Sequence, residues 1–303
     1  MAVSWRAQPA TVRWIATLTA LHLGAGAVAV VVWVATGSLF WILSYLRYAG
    51  AAFVVGLALA EALLSVRAFL GFSRGDALRP AWLLISVAAS ARLAGFVLAE
   101  IFSPGPGLTG PRFIAQPAPW LPLSTTHRAG LALAGPVALL LLSPALALVG
   151  RAYDRHGLSG ELRVMDWLAL GVASFLMVND TWDGIRWTLA REAPLDLYRA
   201  LGFVVDPLLL VLLFQALTLR RAAQTMAGGL IGRCWSAYSA AVFLTVLGCL
   251  GQWAVNYGYV PRPVAVPTWF VWFLVSAAFA MGPAYQLEAL DRVRRGLLPS
   301  GWS

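Results

Sequence analysis

The sequence predicts an all-α integral membrane protein with about eight transmembrane helices, and three observations lead there. Of its 303 residues, 60% are hydrophobic and only 12% charged, too little charge to cover a soluble fold of this length. Eight stretches supply the roughly 20 apolar residues that a helix needs to span about 30 Å of hydrocarbon. Arginines gather in alternate connections, the pattern that orients a multi-pass chain.

The first stretch, 13–36, follows Arg6 and Arg13, but its run from Trp14 to Thr36 is too long for the apolar core of a signal peptide and reads as a retained span. The second, 39–68, carries Glu61, and the third, 81–102, carries Arg92 and Glu100. Residues 103–128 hold six prolines, which excludes a helix and predicts an extended cap over the bundle. The fourth span is placed at 129–150. The fifth, 164–190, is the weakest, because Asn179, Asp180, Asp183 and Arg186 crowd its second half. The sixth, 197–219, contains Asp206 followed by Pro207; the seventh, 234–258, contains Gln252 and Asn256; the eighth is 266–289.

With eight spans, the clusters Arg67/Arg74/Arg79, Arg151/Arg155/Arg163, Arg220/Arg221/Arg233 and Arg292/Arg294/Arg295 fall on one side together with Arg6 and Arg13. Both termini are therefore expected in the cytoplasm of a bacterial inner (plasma) membrane. The fifth connection, with Arg186, Arg191 and Arg199, is the exception on the outer side.

The chain also matches itself at an offset of about 153. Trp14 pairs with Trp167, Trp33 with Trp187, Arg47 with Arg199, Glu61 with Gln215, Trp82 with Trp235, Gly95 with Gly248 and Glu100 with Gln252. Beyond the proline-rich connection the offset falls to 139, pairing Pro144 with Pro283 and Gly157 with Gly296. This predicts a 4+4 internal repeat, with halves 1–157 and 158–303. An even number of spans per half makes the repeats parallel, related by an axis along the membrane normal, as in one class of transporter.

Composition excludes several functions. Every basic residue is Arg, so no lysine can form a retinal Schiff base, and no dense basic run suits nucleic acid despite a net charge of +9. Cys234 and Cys249 lie on one span roughly 22 Å apart along the helix, too far to bridge. His22 alone sits within a span, which argues against haem held by two histidines. Gly71-Phe72-Ser73-Arg74-Gly75 fits a nucleophile-elbow pattern but lies in a connection between helices, without triad partners. An enzyme is the third-ranked reading, resting on Asp180 and Asp183 alone. No metal set is visible.

Charges inside spans point most directly to function, since each costs at least about 2.5–3.5 kcal/mol at the bilayer centre unless paired or hydrated. The candidate ligand- or ion-binding residues are Glu61, Arg92, Glu100, Asp180, Asp183, Asp206 and Gln252. Together they predict a polar, mainly acidic cavity opening outward; the competing reading has them as buried pairs that only hold helices together. The leading functional expectation is a permease for a small solute or ion with its site between the halves. The alternative is a sensor, or an accessory subunit binding lipid, quinone or pigment, with the bilayer, other membrane subunits or a second copy as partners.

Overall fold

The computed structural model of the chain describes residues 8–102, 125–158, 160–190, 197–225, 229–260 and 265–296. Among these residues the fold is entirely helical. It contains eight long helices: α1 Ala10–Thr36, α2 Phe40–Gly71, α3 Arg79–Ile101, α4 Thr125–Arg155, α5 Val164–Ala190, α6 Leu197–Thr225, α7 Leu230–Asn256 and α8 Ala265–Arg294. The expected cap at 103–128 lies almost wholly outside the described residues.

Seven of the eight are long and apolar enough to cross a membrane. The exception is α5, and the reason is the acidic second half already evident in its sequence. Several helices outrun the stretches that hydropathy marks: α2 continues to Gly71, α4 to Arg155, α6 to Thr225 and α8 to Arg294. The extensions of α4, α6 and α8 carry arginines, Arg151 and Arg155, Arg220 and Arg221, and Arg292 and Arg294, and the backbone there keeps its helical hydrogen bonds.

Six helices close a ring in which each packs on the next, in the order α2, α3, α4, α6, α7, α8 and back to α2. Helix α1 lies outside it against α8 and α2, and α5 lies outside it against α6. Both show much apolar surface, for example Leu21 and Val31 on α1 and Val172 and Phe175 on α5.

Helix α5 runs antiparallel to α6 in constant register. Asp166 meets Arg221, Thr181 meets Asp206, and Gly184 faces Phe203. At one end of this contact the Asp166 carboxylate accepts two hydrogen bonds from Arg221, at 2.7 and 2.8 Å.

Two close backbone approaches shape the ring. Gly95 on α3 and Gly130 on α4 each leave no room for a Cβ: one at Gly95 would run into the Gly130 carbonyl and the Ala134 backbone, and one at Gly130 into the backbones of Gly95 and Ala99. Both helices thus present Gly-x-x-x-Ala, the small-residue spacing that lets membrane helices touch backbone to backbone. Gly248 on α7 approaches α8 less tightly, against the Trp272 ring.

One end of the ring's interior is solid. Trp82, Trp235 and Tyr238 are fully buried there, with Phe72, Tyr153 and Phe279 packed around them. The other end is open.

Candidate functional site: a cavity inside the helix ring

The open end is a cavity of about 260 Å³ lined by residues from all six ring helices. Its walls are Phe96, Trp269, Trp272, Phe273 and Phe279, with Leu131, Leu139, Val54 and Val205 between them. Gly135 on α4 and Gly202 on α6 also line it, and at both a Cβ would meet nothing within 4 Å. At about 30 Å³ per water, the space is that of roughly nine waters or one small solute.

The polar groups are few. Arg92, Glu100, Thr245, Cys249, Gln252 and Ser276 line the cavity. Arg92 and Glu100 are separated by eight residues on α3, about 12 Å along the helix axis, so Arg92 sits deep while Glu100 sits near the helix end at Ile101. The Thr245 hydroxyl donates to the Ala241 carbonyl and the Ser276 hydroxyl to that of Trp272, which leaves both oxygens able to accept.

Arg92 is held from two sides. Its Nη1 is 3.3 Å from Glu61 Oε2 on α2, and its guanidinium carbon lies 3.5 Å from the Phe279 ring centroid on α8. Arg92 is 5% exposed and Glu61 3%. Glu61 does not itself line the cavity, so the ion pair joins the cavity floor to the solid end of the ring. One turn along α2, Ser65 Oγ is buried beside the buried Tyr238 Oη, and Trp82 Nε1 is buried with no hydrogen-bond partner among the described residues.

The remaining predicted residues form a second group outside the cavity lining. Asp206, buried on α6, accepts a hydrogen bond from Thr181 at 2.8 Å. Asp183 accepts from Trp253 Nε1 at 3.1 Å and from the Tyr259 hydroxyl at 2.9 Å. That bond, beside the carboxylate's charge, raises the Tyr259 phenol above its ordinary value. Asp180 lies within electrostatic reach of both acids. Among the described residues no three His, Cys, Asp or Glu side chains are grouped so as to hold a metal ion. The expected mainly acidic cavity therefore resolves into two places: an apolar cavity with a single cation in its floor, and an acidic seam where α5, α6 and α7 meet.

Of the seven predicted residues, the structure brings Arg92, Glu100 and Gln252 to the cavity and Glu61 behind it, and sets the three aspartates apart. Sequence reasoning missed the aromatic walls and the pair Thr245 and Cys249. The repeat offset carried that last signal, since 153 positions separate Arg92 from Thr245 and Phe96 from Cys249. His22 proves to be a packing residue, stacked on Phe53 at 4.0 Å with Tyr45 Oη 2.9 Å from its Nδ1.

This is the fold of a multi-pass, all-helical membrane protein with an internal cavity. No protein family, curated protein or solved structure matches the chain.

Proposed function

We propose that the chain is a membrane permease whose solute site is the cavity at the centre of the ring. The observation that carries this reading is that the cavity draws matched positions from both halves: Arg92 with Thr245 and Phe96 with Cys249 at offset 153, and Glu100 with Gln252 at offset 152. A site on the axis between parallel repeats is where rocking one half against the other gives alternating access. The neighbour relations support the same repeat. The contacts α2–α3, α3–α4 and α4–α6 recur as α6–α7, α7–α8 and α8–α2. Gly157 and Gly296, paired at offset 139, end α4 and α8 with φ of 70° and 67°, the left-handed closing turn that favours glycine.

In this reading α5 is the eighth span, both termini are cytoplasmic, and the open end of the ring faces outward. Three π-helical turns, Tyr45–Gly50, Val97–Ile101 and Leu133–Val137, lie toward that end. Such turns loosen a helix locally and concentrate at functional sites.

Cys249 offers the test, because it lines the cavity while Cys234 is fully buried. In a Cys234→Ala background, a membrane-impermeant thiosulfonate applied to right-side-out and to inverted vesicles reports which side reaches Cys249. A permease exposes it to both sides. Labelling from one side only, under every condition, would instead support the second reading, a fixed pocket for a lipid-, quinone- or pigment-like ligand in a sensor or accessory subunit. The aromatic walls favour that alternative.

A further inference from the structure

We infer that Glu61 sets the charge selectivity of the cavity: by pairing with Arg92 it restricts the site to uncharged solutes that carry a hydrogen-bond acceptor. This rests on the cavity being the solute site.

Charge is balanced at the buried floor of the cavity. Among the described residues, Arg92 and Glu100 are the charged side chains that line the cavity, and they are some 12 Å apart along α3. At the floor the guanidinium is already matched by Glu61 at 3.3 Å, with both side chains almost wholly buried. A guanidinium has five N–H donors, and Glu61 takes one through Nη1. Phe279 covers a face of the ion, where no donor points.

The floor thus has donors to offer but no net charge to offer with them. An anion entering would place a second negative charge beside Glu61 in a low-dielectric setting. A cation would meet Arg92 without a free counter-ion at that depth. A neutral carbonyl, amide or quinone-like oxygen accepts from Arg92 and leaves the pair intact. The rest of the solute faces Phe96, Trp269, Trp272 and Phe273, so its body is apolar or aromatic.

Glu61 is a positioning residue in this scheme, since it acts on the solute only through Arg92. Its role separates from a purely structural one because its removal predicts a change of preference and not merely a loss. With Glu61→Gln the guanidinium becomes a buried cation without its counter-ion, and the cavity becomes an anion site.

The experiment uses the full chain in nanodiscs of zwitterionic lipid, with empty nanodiscs as the partition control. Three probes of similar size are titrated by calorimetry and by tryptophan fluorescence: benzamide, benzoate and benzylammonium. The wild type is expected to bind benzamide about tenfold tighter than either ion. Glu61→Gln is expected to reverse the order of benzamide and benzoate, and benzoate is expected to raise the thermal midpoint of that variant. Equal or tighter binding of benzoate by the wild type, absence of binding by all three probes, or an unchanged order in Glu61→Gln would each overturn the inference. The wild-type order decides the matter even if the variant does not fold. One-sided labelling of Cys249 with the predicted probe order intact would remove the permease reading and leave this inference standing.

Discussion

Trp82 and Trp235, 153 positions apart in sequence, face each other in the solid end of the ring with ring centroids 6.3 Å apart. Only side chains close to a rotation axis can touch their own equivalents, so this contact marks where an axis between the halves would pass. The two rings are nonetheless not equivalent in bonding. Trp235 Nε1 donates to Tyr153 Oη at 2.6 Å, whereas Trp82 Nε1 is buried without a partner.

That asymmetry predicts unequal costs for the same substitution. Trp235→Phe leaves the nearly buried Tyr153 hydroxyl without its donor, a loss of about 1–3 kcal/mol beyond the smaller ring. Trp82→Phe deletes a donor that was unsatisfied, which offsets part of the packing loss. Thermal unfolding in detergent is expected to rank Trp235→Phe below Trp82→Phe by several degrees. Equal midpoints would mean that Trp82 has a partner after all, such as an internal water.

The Glu61–Arg92 pair predicts strong non-additivity. Arg92→Met strands a carboxylate that is 3% exposed, and breaking a buried pair from one side costs about 3–5 kcal/mol. Replacing both partners, Glu61→Gln with Arg92→Met, removes both charges at similar volume and is expected to recover most of that loss. A double-mutant cycle on denaturation midpoints checks it; additive effects would show that the two side chains do not share their stabilisation.

How far the sequence foretold this arrangement differs by feature. The helices were legible because bilayer thickness fixes their length, and Arg92, Glu100 and Gln252 stood out because polar groups are costly in an apolar span. The cavity walls were not. Phe96, Trp269 and Phe273 sit in helices that are apolar on every side, where no hydrophobic periodicity marks an inner face. The Gly95/Gly130 crossing was available in principle, since Gly-x-x-x-Ala occurs on both helices, but the motif becomes informative only once the two are known to be neighbours. The expected acidic cavity failed for a related reason: depth along a helix says nothing about rotation, and rotation turned Asp180, Asp183 and Asp206 into the α5–α6–α7 seam.

Glycines at the cavity separate solute binding from stability. At Gly202 a Cβ meets open space, so Gly202→Leu is expected to fold with an unchanged melting temperature while filling much of the cavity and abolishing solute binding. Gly95→Ala is the contrast. Its Cβ would enter the α4 backbone, which cannot move aside like a side chain, so a loss of more than about 1 kcal/mol is expected. A folded Gly202→Leu variant that still binds solute would place the site elsewhere.

The number of spans turns on α5, and its packing gives a definite expectation. Contacts between α5 and α6 run from Asp166–Arg221 to Gly184–Phe203, which is 18 residues along α5 or about 27 Å of helix, close to the thickness of the hydrocarbon layer. Since α6 has the length and composition of a span, a helix lying antiparallel along it for that distance is expected to cross as well. Two polar residues of its second half do not oppose this: Asp183 is engaged by Trp253 and Tyr259, and Thr181 donates to Asp206 on α6, so this part of the polar face of α5 is turned into the protein. Val172, Phe175, Val178 and Leu189 are left facing outward, as a lipid-exposed surface requires. Eight crossings put both termini on one side and seven put them on opposite sides. Reporter fusions active only in the cytoplasm or only outside it, attached in turn to each end, therefore decide the count. Both ends are expected to report the cytoplasm, and ends on opposite sides would show that α5 does not cross.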